Sequence, residues 1–258
     1  MIATRRIQSY VLCVFVMLSI APASAMVGGA QPAADGAGRP VVMILGSGGT
    51  SCTATAIARD LLLTAGHCVQ PGFEYKLVAS VQPPVLKDVV RIERHPQFDL
   101  KRLFGHLATA DVALMKLAEP LPAKIPAAPL DTDEKPVAVG DTVVVAGYGL
   151  TVRGDGRTGG TVRAATLVAT GQPGPLQLRL YDPKTKGDTD GLGACTGDSG
   201  APAFRNEDGR LAIIGVVSWS TGPKLTGGCG GLTGITPLAR YRTWIIDTAR
   251  MLGSPLAP

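Results

Sequence analysis

The sequence predicts an all-β fold, either a sandwich or barrels, with a single helix near its C-terminus. Short β-type runs recur along most of the chain and are broken by Gly, Pro and Asp. A proline-rich stretch divides them into comparable halves, and apolar residues fall at helical spacing only near the end. At 258 residues the chain suits one large domain or two fused small ones, and it can bury a core without help from metals.

Residues 1–25 read as an export signal. Arg5 and Arg6 precede an apolar run from Val11 to Ile20, and Ala23-Ser24-Ala25 closes it with the small-x-small pattern of a cleavage site. The run is short for a membrane span and ends at Pro22. Cys13 lies inside the run, so it is not placed as a lipid acceptor. Ile7-Gln8-Ser9 is a poor continuation of a twin-arginine signal. No later stretch is long and apolar enough to span a bilayer, so the expectation is a secreted chain, extracellular or periplasmic, with no stable membrane insertion after cleavage.

Removing the signal lowers the formal charge from +5 to +3. The remaining basic residues are scattered and not interleaved with aromatics, which argues against nucleic acid as a partner. Four cysteines are left, Cys52, Cys68, Cys195 and Cys229. An even count in an exported chain implies disulfides; the sequence-local connectivity of the three possible pairs Cys52 with Cys68 and Cys195 with Cys229.

The strand candidates are Val41–Leu45, Thr53–Ile57, Leu61–Thr64, Val89–Glu93, Val112–Leu117, Thr142–Ala146, Thr161–Ala169, Leu176–Leu180, Ala201–Phe204, Leu211–Ser218 and Gly234–Ile235. Ala118–Pro136 holds five prolines and reads as a linker. The division is therefore a signal over 1–25, a β-rich half over 26–136 and a second over 137–258. Pro237 opens the expected helix, with Leu238, Tyr241, Ile245, Thr248 and Met251 on one face and Gly253 as a stop. Gly154–Gly160 reads as a mobile surface loop.

A serine hydroxyl is a poor nucleophile until a base takes its proton, and the base needs a third group to fix its tautomer. Of three histidines, His67 sits in Thr64-Ala65-Gly66-His67-Cys68, at the end of an apolar strand. Gly197-Asp198-Ser199-Gly200-Ala201-Pro202 sets a serine between glycines, where backbone N–H groups can approach a substrate oxygen. These two segments, with Asp111-Val112-Ala113-Leu114 between them, resemble the three signature segments of the trypsin/chymotrypsin-like serine proteases, in the family's order. The similarity runs from Val27-Gly28-Gly29 through Ser218-Trp219 to the closing helix.

The resemblance implies two antiparallel six-stranded Greek-key barrels, with the active site between them and a C-terminal helix. It implies a serine endopeptidase with Ser199 as nucleophile, His67 as general base, Asp111 as orienting carboxylate, and the N–H groups of Gly197 and Ser199 as oxyanion hole. Protein or peptide substrates, protein inhibitors, and no cofactor or metal follow. Ser218, Trp219 and Ser220 would line one wall of the substrate pocket, Gly193 its floor and Gly234 another wall. Family members that cleave after Lys or Arg carry an aspartate where Gly193 stands, so an uncharged, apolar residue is expected at the cleaved bond, unless a shifted loop brings Asp188 or Asp190 in. Met26-Val27-Gly28-Gly29 matches the segment whose new α-amino group pairs with the aspartate before the nucleophile, here Asp198, and it directly follows the signal cleavage pattern.

Ala201 stands where the family usually has glycine, and Ser220 also replaces a glycine. His95 reads as structural, His106 as part of a loop over the cleft, and Asp99 as the rival for the orienting role. The main alternative is a catalytically inactive protease-like binding protein. An esterase of another fold would need Gly-x-Ser-x-Gly and the order Ser, acid, His.

Overall fold

The computed structural model describes residues 26–33, 36–81, 84–133, 135–171, 174 and 176–256; the export signal read over residues 1–25 lies outside the described residues. After a two-residue strand, β1 (Gln31–Pro32), six strands close a barrel: β2 (Val41–Gly46), β3 (Ser51–Ala58), β4 (Leu61–Thr64), β5 (Tyr75–Val81), β6 (Pro84–Arg94) and β7 (Ala113–Leu117). Their order around the barrel is β2-β3-β4-β7-β6-β5, and every pairing is antiparallel. A short helix, α1 (Leu100–Phe104), interrupts the connection from β6 to β7.

A second antiparallel barrel follows: β8 (Thr142–Gly147), β9 (Arg163–Thr170), β10 (Leu178–Tyr181), β11 (Pro202–Glu207), β12 (Arg210–Ser220) and β13 (Leu232–Pro237). It runs β9-β10-β13-β12-β11-β8 and is closed by β8 pairing with β9, while β1 pairs with Arg163 and Ala164 of β9. The terminal helix is α2 (Arg242–Met251). The two barrels expected from the resemblance are thus present, with six strands each.

Alternation along the strands explains how the barrels pack on one another. In β4, Leu62 points into the first barrel with Val42, Ile44, Leu77 and Met115. Its neighbours Leu61 and Leu63 point outward, into a cluster shared with Val112, Phe204, Val216 and Ile245. The second barrel is filled by Val143, Val145, Leu167, Leu180 and Ile235. The shared cluster contains residues of both barrels and of α2, so burying it fixes their relative position; each fully buried Leu or Phe contributes roughly 1.5–3 kcal/mol.

α1 was not expected, since the sequence reading placed a helix only near the C-terminus, and two strands also differ from expectation. Pro237 closes β13 instead of opening the helix: its strand continues to pair with Gly215, and the Leu238 N–H donates to the Ile214 carbonyl at 2.8 Å. The ladder therefore holds the chain until a 3₁₀ turn at Ala239–Tyr241 releases it into α2. β5 was not among the expected strands, because charged Lys76 and small Ala79 dilute the run; its buried residues Tyr75 and Leu77 still meet the core.

Candidate active site

Strand pairing brings the expected residues together. Thr64 at the end of β4 lies opposite Ala113 at the start of β7, so the segments just beyond them, carrying His67 and Asp111, meet at the same end of the barrel. His67 occupies a 3₁₀ turn, Gly66–Cys68, that follows β4 directly. Its N–H donates to Asp111 Oδ1 at 2.8 Å, and its ring Nδ1 lies 2.8 Å from Asp111 Oδ2. Asp111 is fully buried and also accepts from the Ser218 hydroxyl at 2.5 Å. With Nδ1 turned to a carboxylate, that nitrogen carries the ring proton of the neutral imidazole and Nε2 is left as an acceptor.

Ser199 ends the loop before β11, and the first barrel grips this loop. The Thr53 N–H donates to the Ser199 carbonyl at 2.8 Å, and the Thr53 hydroxyl donates to the Gly197 carbonyl at 2.8 Å. The same hydroxyl accepts from the Tyr148 N–H at 3.1 Å, and the Thr53 carbonyl accepts from the Thr64 hydroxyl at 2.8 Å. Contact is so close that a Cβ on Gly200 would stand 2.1 Å from Thr64 Oγ1, and Gly200 takes φ +79°. His67, Gly197 and Ser199 line one cavity of about 430 Å³. Among the described residues, neither the Gly197 nor the Ser199 N–H is spent on a protein acceptor.

Both sequence-local disulfides are formed, Cys52–Cys68 beside His67 and Cys195–Cys229 beside the loop that carries Ser199. Cys52, Cys68 and His67 place potential ligand atoms within 4.8 Å of one another, but the two sulfurs are bonded to each other.

Asp198 is fully buried, and burial pushes its pKa up to about 7 against the pull of N–H donors from Cys195 and Gly149, at 2.9 and 2.8 Å. Gly147 and Gly149 form its cradle: a Cβ on either would come within 2.3 Å of the carboxylate. Met26 is fully buried in the second barrel's core beside Ala194 and Ala201. Val27 bridges to Gly193, and Gly28 packs onto the Gly191 backbone, where a Cβ would collide at 2.3 Å. Residues 26–28 therefore lie along the loop that leads to Asp198.

Gly193 is buried, and a Cβ there would meet the Gly230 backbone at 3.3 Å and Thr233 Oγ1 at 3.4 Å. Thr233 Oγ1 also accepts from the Ala194 N–H at 2.9 Å. Gly234 faces the other way: the Trp219 indole covers it, 2.0 Å from where its Cβ would be. Asp188 and Asp190 are exposed and line none of the cavities at the site. The pocket rim is tied down by Ser220, whose hydroxyl donates to the Gly228 carbonyl at 3.2 Å, and by Arg153, whose Nη1 donates to the Gly227 carbonyl at 2.5 Å.

The remaining candidates fall elsewhere. Asp99 caps α1, accepting from the N–H groups of Lys101 and Arg102, and does not reach His67. His95 is wedged edge-on between Tyr241 and Trp244 and accepts from the Gln97 N–H at 3.2 Å. His106 is exposed, in a left-handed backbone conformation, and lines a neighbouring cleft with Ser218 and Trp219. Thr53, Thr233 and Arg179, which lines that same cleft, escaped the sequence reading. Thr53 adjoins Cys52 but belongs to no motif, and the other two are marked only by their cross-strand partners.

The trypsin family model matches residues 27–245, and the chain belongs to that family. It is 25% identical to human kallikrein-11 over 211 residues, 77% of this chain and 72% of the relative. It is also 25% identical to the snake venom serine protease rhinocerase 4 of Bitis rhinoceros over 219 residues, 80% of this chain and 81% of the relative. The match to the serine proteinase stubble of Drosophila melanogaster, again at 25%, covers 77% of this chain but 27% of that much longer protein.

Proposed function

We propose that the protein is an exported serine endopeptidase acting through Ser199, His67 and Asp111 in a two-barrel enzyme divided near residue 136. The observation that carries this reading is the buried Asp111 hydrogen-bonded to His67 Nδ1, with Ser199 opposite in the same cavity. His67 Nε2 takes the Ser199 proton as the hydroxyl attacks the scissile carbonyl, then returns it to the leaving amine. Asp111 holds the imidazole and stabilises its charge without taking the proton. The free N–H groups of Gly197 and Ser199 receive the oxyanion, each donor being worth about 3–4 kcal/mol. Water then resolves the acyl-enzyme by the same route.

The substrate's side chain on the acyl side enters beside Gly193, Thr233 and Ser220. No carboxylate among the described residues lines the cavity at Ser199, so an incoming Arg or Lys would be desolvated without a partner, at a cost of several kcal/mol. The enzyme therefore cleaves after uncharged, apolar residues, and its partners are proteins or peptides and the inhibitors that mimic them. Signal cleavage after Ala25 frees the Met26 amine, which pairs with Asp198 and activates the enzyme without a second cut.

Covalent labelling by a fluorophosphonate tests the central reading. Ser199 is the expected site of modification, and Ser199→Ala is expected to abolish both labelling and hydrolysis of a Phe or Leu peptide. Retained hydrolysis in that variant overturns the assignment, and a preference for Arg over Phe, Leu and Ala substrates overturns the pocket.

A further inference from the structure

Beside the cavity at Ser199 lies a second cleft, of about 730 Å³, running from His67 past Trp219. One side is built from α1 and the loop after it, with Leu103, Phe104 and Leu107; the other from Leu225 in the Thr221–Gly228 stretch. Phe104 and Leu225 are 75% and 70% exposed. Arg179, which is exposed, also lines the cleft. Arg179 of β10 stands opposite Gly234 of β13, which stands opposite Trp219 of β12. Residues directly opposite in antiparallel strands project from one face, so the three form a row. Gly234 contributes no side chain and the indole lies across it, so the next side chain in the row belongs to Arg179.

The charge of this cleft is of one sign. None of its lining residues is acidic; the titratable ones are His67, His106 and Arg179. Arg179 is exposed and makes no ion pair or side-chain hydrogen bond among the described residues. Lys101 and Arg102 on α1 and Lys224 beside Leu225 add to the same potential. Asp99 is engaged in capping α1, and Asp111 is buried behind His67.

We propose that this cleft selects peptides carrying a carboxylate side chain four residues before the cleaved bond and an apolar side chain two residues before it. The proposal rests on the endopeptidase reading. In an extended peptide, side chains alternate between faces, so the second and fourth residues before the bond share the face opposite the one buried beside Gly193. The second meets His67 and the leucines of the α1 side. The fourth extends past the Trp219 indole to Arg179.

The test compares two peptides identical except for Glu or Lys at the fourth position, each with Leu at the second and Phe at the cleaved bond. The expected ratio of kcat/KM is about threefold to fivefold in favour of Glu, the size of an exposed ion pair, carried by KM and shrinking as salt is raised. Arg179→Glu is expected to invert the ratio. Because both peptides are read on one preparation, loss of folded enzyme cancels. A ratio near one, or a ratio that Arg179→Glu leaves unchanged, overturns the proposal while fluorophosphonate labelling of Ser199 keeps the endopeptidase reading intact. Failure of both hydrolysis and labelling overturns the two together.

Discussion

Thr53 spends its hydroxyl on one carbonyl and one N–H of the opposite barrel, and its own N–H on the Ser199 carbonyl. Thr53→Val keeps the shape and its own N–H bond but leaves the half-buried Gly197 carbonyl and Tyr148 N–H unpaired, at about 1 kcal/mol each. Its expected signature is a fall in kcat larger than the rise in KM, measured on the leucine-containing peptides; a change in KM alone would remove Thr53 from the positioning of Ser199. Asp111→Asn is expected to lower kcat by about 10⁴, since the amide imposes the wrong imidazole tautomer. Asp198 supplies a pH test. A carboxyl whose folded pKa is raised to about 7 adds stability that is full below its unfolded value and is lost as pH rises through 7. Under the proposed pairing with the Met26 ammonium, that pKa would be drawn down and the loss removed. A chain still carrying residues before Met26 should therefore fall behind the mature form in stability as pH climbs from about 4 to 7, by up to a few kcal/mol, read as a widening gap in Tm; parallel curves would exclude the pairing.

At the scale of elements, the Cys52–Cys68 bridge staples β3 to the turn that carries His67 and closes a separation of 16 residues. In the chain-entropy account such a loop contributes about 3 kcal/mol. Replacing both cysteines by Ala is expected to cost that amount in denaturant titration and to lower kcat as the His67 turn loosens; an unchanged midpoint would show the bridge to be dispensable. Elements also mark what could be read from the sequence. His67, Asp111 and Ser199 were legible because each sits in a short segment whose neighbours serve the same purpose. The pocket was less legible, because its lining depends on register. The β12–β13 ladder shifts between Val217 and Trp219, and such a shift decides which of two adjacent residues faces inward. Thr233 thereby faces Gly193, while Gly234 lies under the indole. Arg179 was invisible for a related reason: its neighbours Gly234 and Trp219 are distant in the chain and meet it only across strands.

At the scale of the molecule, the tail beyond α2 returns to the first barrel. The Ser254 hydroxyl donates to Asp60 Oδ1 at 2.5 Å, and Lys116 Nζ donates to both Asp60 Oδ2 and Ser254, each at 2.6 Å. Burial raises the Asp60 pKa, but Lys116 and Ser254 outweigh it and the net displacement is downward. A lowered carboxyl contributes stability above its unfolded pKa and loses it as pH falls through the folded value. Ser254→Ala should cost about 1 kcal/mol at neutral pH and less below about pH 4, as read from Tm; a penalty independent of pH would mean that packing alone is involved.

That strap has a consequence for the order in which the protein is made. The strands of the first barrel lie between Val41 and Leu117, so they emerge together early in synthesis, while Ser199 and Ser254 follow much later. Chains are extended at about 5–20 residues per second, so His67 and Asp111 are made several seconds before Ser199. The first barrel can grip the loop bearing Ser199 only once that loop has followed, and the final residues seal the pair. Under the proposed function, an unfinished chain cannot cut its neighbours in the cell that makes it.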